Sequence, residues 1–198
     1  AERGLPRAME IMEEEEPDDL RSRVEVALKV VEAAVERERD ALRSIHEVHS
    51  GSSDAVDQVE TALAAWEAYG ESLREFVLER ASLSGLATED LPEAGEGDQA
   101  YAGIIPRLSR EVRGQEFSFG RYPPAQAYME EHPEALEELG LSRSQTQEIL
   151  GYVNGERSVL DIRDRVVGWT GSWLSPAQVA GYVEILREIG WVELVEGG

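Results

Sequence analysis

The chain has no cysteine in its 198 residues. Disulfides, thiolate nucleophiles and cysteine-based zinc sites are therefore excluded. Lysine is almost absent too: Lys29 is the single lysine among 19 basic residues, which leaves 18 arginines. Against these stand 41 acidic residues, for a formal net charge of −22. Arginine in place of lysine fits GC-rich coding, and an acidic, lysine-poor surface also fits adaptation to high salt. A DNA-binding surface gains affinity by neutralising phosphates, and a strong negative field opposes that encounter, so nucleic acid is not an expected partner. Anionic membranes are disfavoured for the same reason. No apolar run approaches the roughly 18 residues that suggest a membrane-spanning helix, and no signal peptide is visible. The nucleotide-loop, dinucleotide and serine-elbow motifs are missing, and nothing calls for a cofactor.

What is present is long apolar stripes. Hydrophobic residues make up 41% and charged residues 30% of the sequence, enough for one or two domains with a core. Residues 1–17 read as an acidic arm, with Glu13 to Glu16 ahead of Pro17. The first residues are Ala1-Glu2-Arg3 and not Met, which suggests a processed product or an excised fragment. Residues 18–84 read as an antiparallel helical hairpin. Its first helix is capped by Asp18 or Asp19 and carries Leu20, Val24, Ala27, Val31, Ala34, Ala41, Ile45 and Val48. Gly51-Ser52-Ser53 breaks it. The second helix carries Val56, Val59, Leu63, Trp66, Leu73, Phe76 or Val77, and Leu83. Both stripes step by threes and fours, the spacing that keeps one helix face against a neighbour. Residues 85–143 form an irregular connector. It holds a short strand within 102–108, an extended Phe117-Ser118-Phe119, a helix opened by Pro123-Pro124, and a turn from Pro133 that Gly140 stops.

Residues 144–198 give the order of a small winged-helix-like module. A helix over 144–153 ends at the Asn154-Gly155 turn. A second helix follows Ser158, with Asp161 completing a capping box. Gly168 to Leu174 forms a loop. Ser175-Pro176 opens the third helix, whose stripe is Val179, Tyr182, Val183, Leu186 and Ile189. Gly190 ends it, and Trp191 to Val195 alternates like a strand. A wing needs a second strand, which must be absent or come from elsewhere. The fold class is thus mainly α: an N-terminal antiparallel helical hairpin and a C-terminal winged-helix-like three-helix module with one short terminal strand.

Few residues invite chemistry. His46, Glu47 and His49 form H-E-x-H. Two histidines three apart share a helix face and could meet one metal, with Asp57 or Glu60 as a third ligand. The plainer reading is a polar helix end, where histidine interacts well with the dipole. His132 has no evident partner in the sequence. The candidate interaction residues are Trp169, Trp173, Tyr182 and Trp191, since aromatics at a surface anchor interfaces. For Trp191 the core is the favoured place, and Trp169 and Trp173 suit either place equally.

The stretches YVNGERSVLDIRDRV (152–166) and VEILREIGWVEL (183–194) resemble two groups. One is the C-terminal extension of bacterial M28-type zinc aminopeptidase-like proteins, in which a helical segment leads into such a module. The other is the PqqD-like peptide-recognition modules, over 144–195 only. The first resemblance implies a non-catalytic accessory region that packs, dimerises or gates substrate beside a peptidase domain of the same polypeptide. No catalytic or metal residue carries over, because those belong to the peptidase domain. The second implies a free-standing peptide- or protein-binding module, with a groove between the third helix and the last strand. The expected partners are accordingly another protein domain or a peptide, and a second copy through the hairpin. A transcription regulator ranks lower, because the third helix carries Gln178, Glu184 and a single basic residue, Arg187.

Overall fold

The computed structural model describes residues 8–11, 20–48, 53–87, 99–112, 114, 118–119 and 121–195. The protein is mainly α. Its chain forms two compact units: Ala1–Pro92 with Val167–Trp173, and Glu93–Val166 with Leu174–Gly198.

The first unit is built on α1 (Leu20–Val48) and α2 (Ser53–Leu83). The two run antiparallel, as the ion pairs Arg39–Glu67 (2.7 Å) and Arg74–Glu32 (3.8 Å) require, since the pairs step in opposite directions along the two helices. Their seam buries Val24, Ala27 and Val31 of α1 and Val59, Leu73, Val77 and Ala81 of α2. Gly70 allows the close approach: a Cβ there would lie 2.6 Å from Val35 Cγ2. The two stripes expected from the sequence hold only in part. Val77 is the buried member of the Phe76/Val77 pair, whereas Phe76 and Leu83 are 42% and 77% exposed. On α1 the stripe fails after Ala34, and Ile45 is 47% exposed.

α1 also buries a second face, through Val26 and Val30. The segment 167–173 packs against this helix. The sequence suggested a loop from Gly168, but the helix continues to Thr170. Gly168 is there for close approach and not to end the helix, since a Cβ at this position would lie 2.5 Å from the Ala33 Cβ and 2.6 Å from the Lys29 carbonyl oxygen. Part of the expected acidic arm is packed as well: residues 8–11 make a helical turn that buries Ala8 and Ile11. The rest of the arm lies outside the described residues.

The second unit joins the connector and the terminal module. It contains α3 (Gln99–Ala102), β1 (Pro106–Leu108), α4 (Pro123–Glu131), α5 (Ala135–Glu138) and α6 (Arg143–Tyr152), then α7 (Val159–Thr170) up to Val166, α8 (Pro176–Glu188) and β2 (Val192–Leu194). α6 starts one residue earlier than the sequence suggested, because Ser142 and Gln145 form a full capping box. At α7 the Asp161 carboxylate accepts from the Ser158 amide (2.8 Å), and the Asp161 amide donates to the Ser158 hydroxyl (3.2 Å). Ser175 and Gln178 cap α8 in the same way, with Pro176 in the first turn. Each such cap contributes about 1 kcal/mol. Gly190, at φ +74°, turns the chain after α8.

The missing wing strand comes from the connector. β1 pairs antiparallel with β2, Arg107 opposite Glu193. Pro106 and Ile104 point their carbonyls the other way, where they accept from the amides of Gly155 (3.0 Å) and Val159 (2.9 Å). The Asn154-Gly155 turn therefore closes the outer edge of β1. Phe117 lies outside the described residues, and Phe119 sits in a turn and not in a strand. The core is Ile149, Val159, Ile162, Val166, Leu174, Val179, Tyr182, Val183, Leu186 and Trp191.

Candidate functional site

The expected interaction residues divide sharply. Trp169 is 52% and Trp173 44% exposed, whereas Tyr182 and Trp191 are each 2% exposed. Tyr182 is therefore a core residue and not an exposed contact, and Trp191 lies in the core, the place its sequence favours. The stripe of α8 turns Tyr182 inward, and Trp191 meets the Tyr122 ring edge-on at 4.8 Å. Burial holds the Tyr182 phenol in its protonated form, with its pKa raised, although its side-chain bond with Thr146 acts the other way.

Trp169 and Trp173 belong to the segment that packs on α1. Arg37 lies over the Trp169 ring with its guanidinium carbon 4.6 Å from the centroid. This contact fixes a half-exposed indole, and cation–π contacts at exposed sites contribute about 0.5–1 kcal/mol.

A larger feature lies on α2. Gln58, Ala62, Ala65, Tyr69, Ser72, Phe76, Arg80 and Leu83 follow one another at spacings of three and four. They share one face, about 110° around the helix from the seam with α1. Tyr69, Phe76 and Leu83 on it are 42%, 42% and 77% exposed. Of the seven acidic residues of α2, Asp54 falls in line with this face four residues before Gln58, Glu79 borders it between Phe76 and Leu83, and the other five lie off it. Trp66 meets the Tyr69 ring edge-on at 5.5 Å, which orders the exposed phenol. The Ser72 hydroxyl donates to the Ala68 carbonyl (3.0 Å), so it brings no unmet donor to the face. In the sequence, Leu83 and either Phe76 or Val77 also fit the buried stripe.

Elsewhere on the hairpin, Leu28, Val31, Val35 and Gly70 floor a groove of about 450 Å³ rimmed by Glu36, Glu71 and the ion pairs Arg39–Glu67 and Arg74–Glu32. The second unit has a cavity of about 370 Å³ lined by Phe119, Leu136, Leu141, Leu150 and Tyr182, with Arg143, Thr146 and Gln147 at its polar side. The groove expected between the third helix and the last strand is shut at Val192, which is 2% exposed with its backbone included. On α8, Arg187 is bound to Glu184 through both Nε (2.8 Å) and an Nη. That pairing holds the Glu184 carboxyl below its usual pKa.

His46 lies in the last turn of α1, with its side chain outside the described set, and His49 is outside the described residues. Among the described residues no three His, Cys, Asp or Glu side chains come together in a way that could hold a metal. No described helix is long and apolar enough to cross a membrane. Comparison with models of known families, with characterised proteins and with solved structures gives no significant match.

Proposed function

We propose that this chain is a non-catalytic interaction region, and that its hairpin unit is the surface that holds another protein. One observation carries the reading. On one side of α2, Tyr69, Phe76 and Leu83 stand 42%, 42% and 77% exposed, in a chain of net charge −22. Apolar and aromatic side chains left together in water are the usual mark of a binding surface. Trp169, steadied by Arg37, and Trp173 add anchors of the type that dominates interface energies. In the form that the resemblance suggests, the partner is a metallopeptidase domain of the same polypeptide, and the hairpin packs on it or gates its substrate. That form rests on the resemblance alone.

Photo-crosslinking tests the reading. A benzophenone amino acid replaces Phe76, Trp169 or Trp173, with Glu71 on the acidic side of α2 as the control. Protein adducts from the first three and not from Glu71 support it. Equal yields from all four positions, or none, would sink it.

A second reading, a peptide-binding module, has one observation in its favour: the apolar cavity beside Tyr182. A peptide would place an apolar side chain there, since the edge of β2 is covered at Val192. Leu150→Trp, which fills the cavity, should abolish binding of such a peptide. Nucleic acid ranks last, because Arg187, the single basic residue of α8, is held by Glu184.

A further inference from the structure

We infer that the cavity beside Tyr182 is a binding site for a small apolar carboxylate, with Arg143 holding the acid and the leucines holding the apolar tail. The inference goes beyond the hairpin reading and does not depend on it. It gives a ligand chemistry to the cavity that the peptide reading invokes.

The walls are suited to a tail. Phe119, Leu136, Leu141, Leu150 and Tyr182 line the space, and the three leucines are only half-buried. Their contact with water is unfavourable, and an apolar group seated among them would end it. The hydroxyls beside them are already engaged. Tyr182 is bonded to Thr146, and the Thr146 hydroxyl donates to the Arg143 carbonyl (2.9 Å). An apolar tail therefore leaves neither of them without a partner.

The rim is held in place before any ligand arrives. The Gln178 amide donates to the Leu139 carbonyl (2.8 Å), and the Ser142 capping box fixes the start of α6. The segment that carries Leu141 and Arg143 is thus anchored at both ends, and a preformed site loses little freedom on binding.

Charge selects the head group. Arg143 is the single charged residue among the described residues that line the cavity, in a chain with 41 acidic residues. It is the first residue of α6, where a cation opposes the helix dipole, so its place there does nothing for the helix. Among the described residues no carboxylate pairs with it. Gln147 stands one turn further along the same face of α6 and also lines the cavity. The pair offers a cation and an amide donor side by side, which is what a carboxylate accepts from. The negative field of the whole chain opposes the approach of an anion, but salt confines that field to about 8 Å at physiological strength. The charge at the mouth then decides.

Volume limits the ligand. The cavity holds about 370 Å³, near the lower end of the roughly 300–1,000 Å³ of small-molecule sites. A water takes about 30 Å³ in the liquid, so the space suits about a dozen non-hydrogen atoms. A short free acid fits, and so does the last residue of a peptide with its carboxyl end.

Octanoate and N-acetyl-leucine are the probes, the first for the free acid and the second for the peptide end. With the leucine methyl groups labelled, titration of the whole chain should move the Leu136, Leu141 and Leu150 resonances and leave Leu28 of the hairpin groove unmoved. The tighter of the two acids identifies the source. Octanol and N-acetyl-leucine amide, which lack the charge, should bind about tenfold more weakly. Arg143→Gln, a change at an exposed residue, should bring acid and uncharged analogue to equal affinity with the urea midpoint unchanged. Absence of shifts at these leucines with either acid at about 10 mM overturns the site. Equal binding of acid and uncharged analogue by the unmodified protein, or full affinity in Arg143→Gln, overturns the carboxylate. None of these results bears on the hairpin, whose photo-adducts form at Phe76, Trp169 and Trp173.

Discussion

Gly168→Ala should destabilise the protein, although alanine is the better helix former. Gly168 lies inside α7, two residues before its end, and is buried against α1. A Cβ built on it lies 2.5 Å from the Ala33 Cβ and 2.6 Å from the Lys29 carbonyl oxygen. Neither atom is the free end of a flexible side chain. Relief therefore requires one helix backbone to move off the other. Helix propensity favours alanine by about 1 kcal/mol. Overpacking costs about 1–3 kcal/mol, and a clash with backbone belongs at the upper end. The net loss should be about 1–2 kcal/mol. Gly151→Ala on α6 is the matched control. Its Cβ meets nothing within 4 Å, so it should gain about 0.5–1 kcal/mol. Urea unfolding followed by circular dichroism reads both, through the midpoint at constant slope. Trp169 fluorescence should also shift in Gly168→Ala, because its contact with Arg37 depends on that packing. If Gly168→Ala is as stable as the unmodified protein, the packing of α7 on α1 is wrong, and with it the placement of both exposed tryptophans.

Gly70→Ala meets only the end of a side chain, Val35 Cγ2 at 2.6 Å, so it should cost less than Gly168→Ala. A double-mutant cycle with Val35→Ala should show about 1 kcal/mol of relief. Trp191→Ala, which empties a site 2% exposed, should cost about 3–5 kcal/mol. Trp169→Ala should stay within about 1 kcal/mol in the same urea assay, while losing the interaction. Tyr182 keeps its proton in the folded state above the usual phenol value of 10.0. The unfolded chain then holds fewer protons at alkaline pH, so stability falls as pH rises above about 10, by up to about 1.4 kcal/mol per unit for this group. Tyr182→Phe should flatten that alkaline limb in unfolding measurements made across pH.

Local chemistry made much of the fold legible. Ser158 with Asp161, Ser175-Pro176 and Gly190 fixed the helix boundaries of the module, because a cap is decided by residues three apart. Long-range contacts were less visible. Pairing of β1 with β2 joins residues 86 apart in sequence, Arg107 and Glu193, and no local signal announces it. Gly168 reads as a helix stop until Ala33 is seen against it. A stripe of threes and fours shows that a helix has an apolar face but not how many faces it has. Phe76 and Val77 are neighbours, so one must leave the seam, and the sequence did not say which. Tyr182 is ambiguous for a related reason: an aromatic on an amphipathic helix serves a core or an interface equally well until its surroundings are known, whereas Trp191 at the strand start takes the core place that its sequence favours.

Hydroxyl-radical labelling inside the source cells, set against the dilute purified chain, tests the central claim most directly. An interaction region predicts that Tyr69, Phe76 and Trp169 are labelled in the dilute chain and protected in the cell, while side chains on the acidic side of α2 are labelled alike in both. Equal labelling of these aromatics in cell and tube would contradict it, and the hairpin would then be a solvated structural element with no partner.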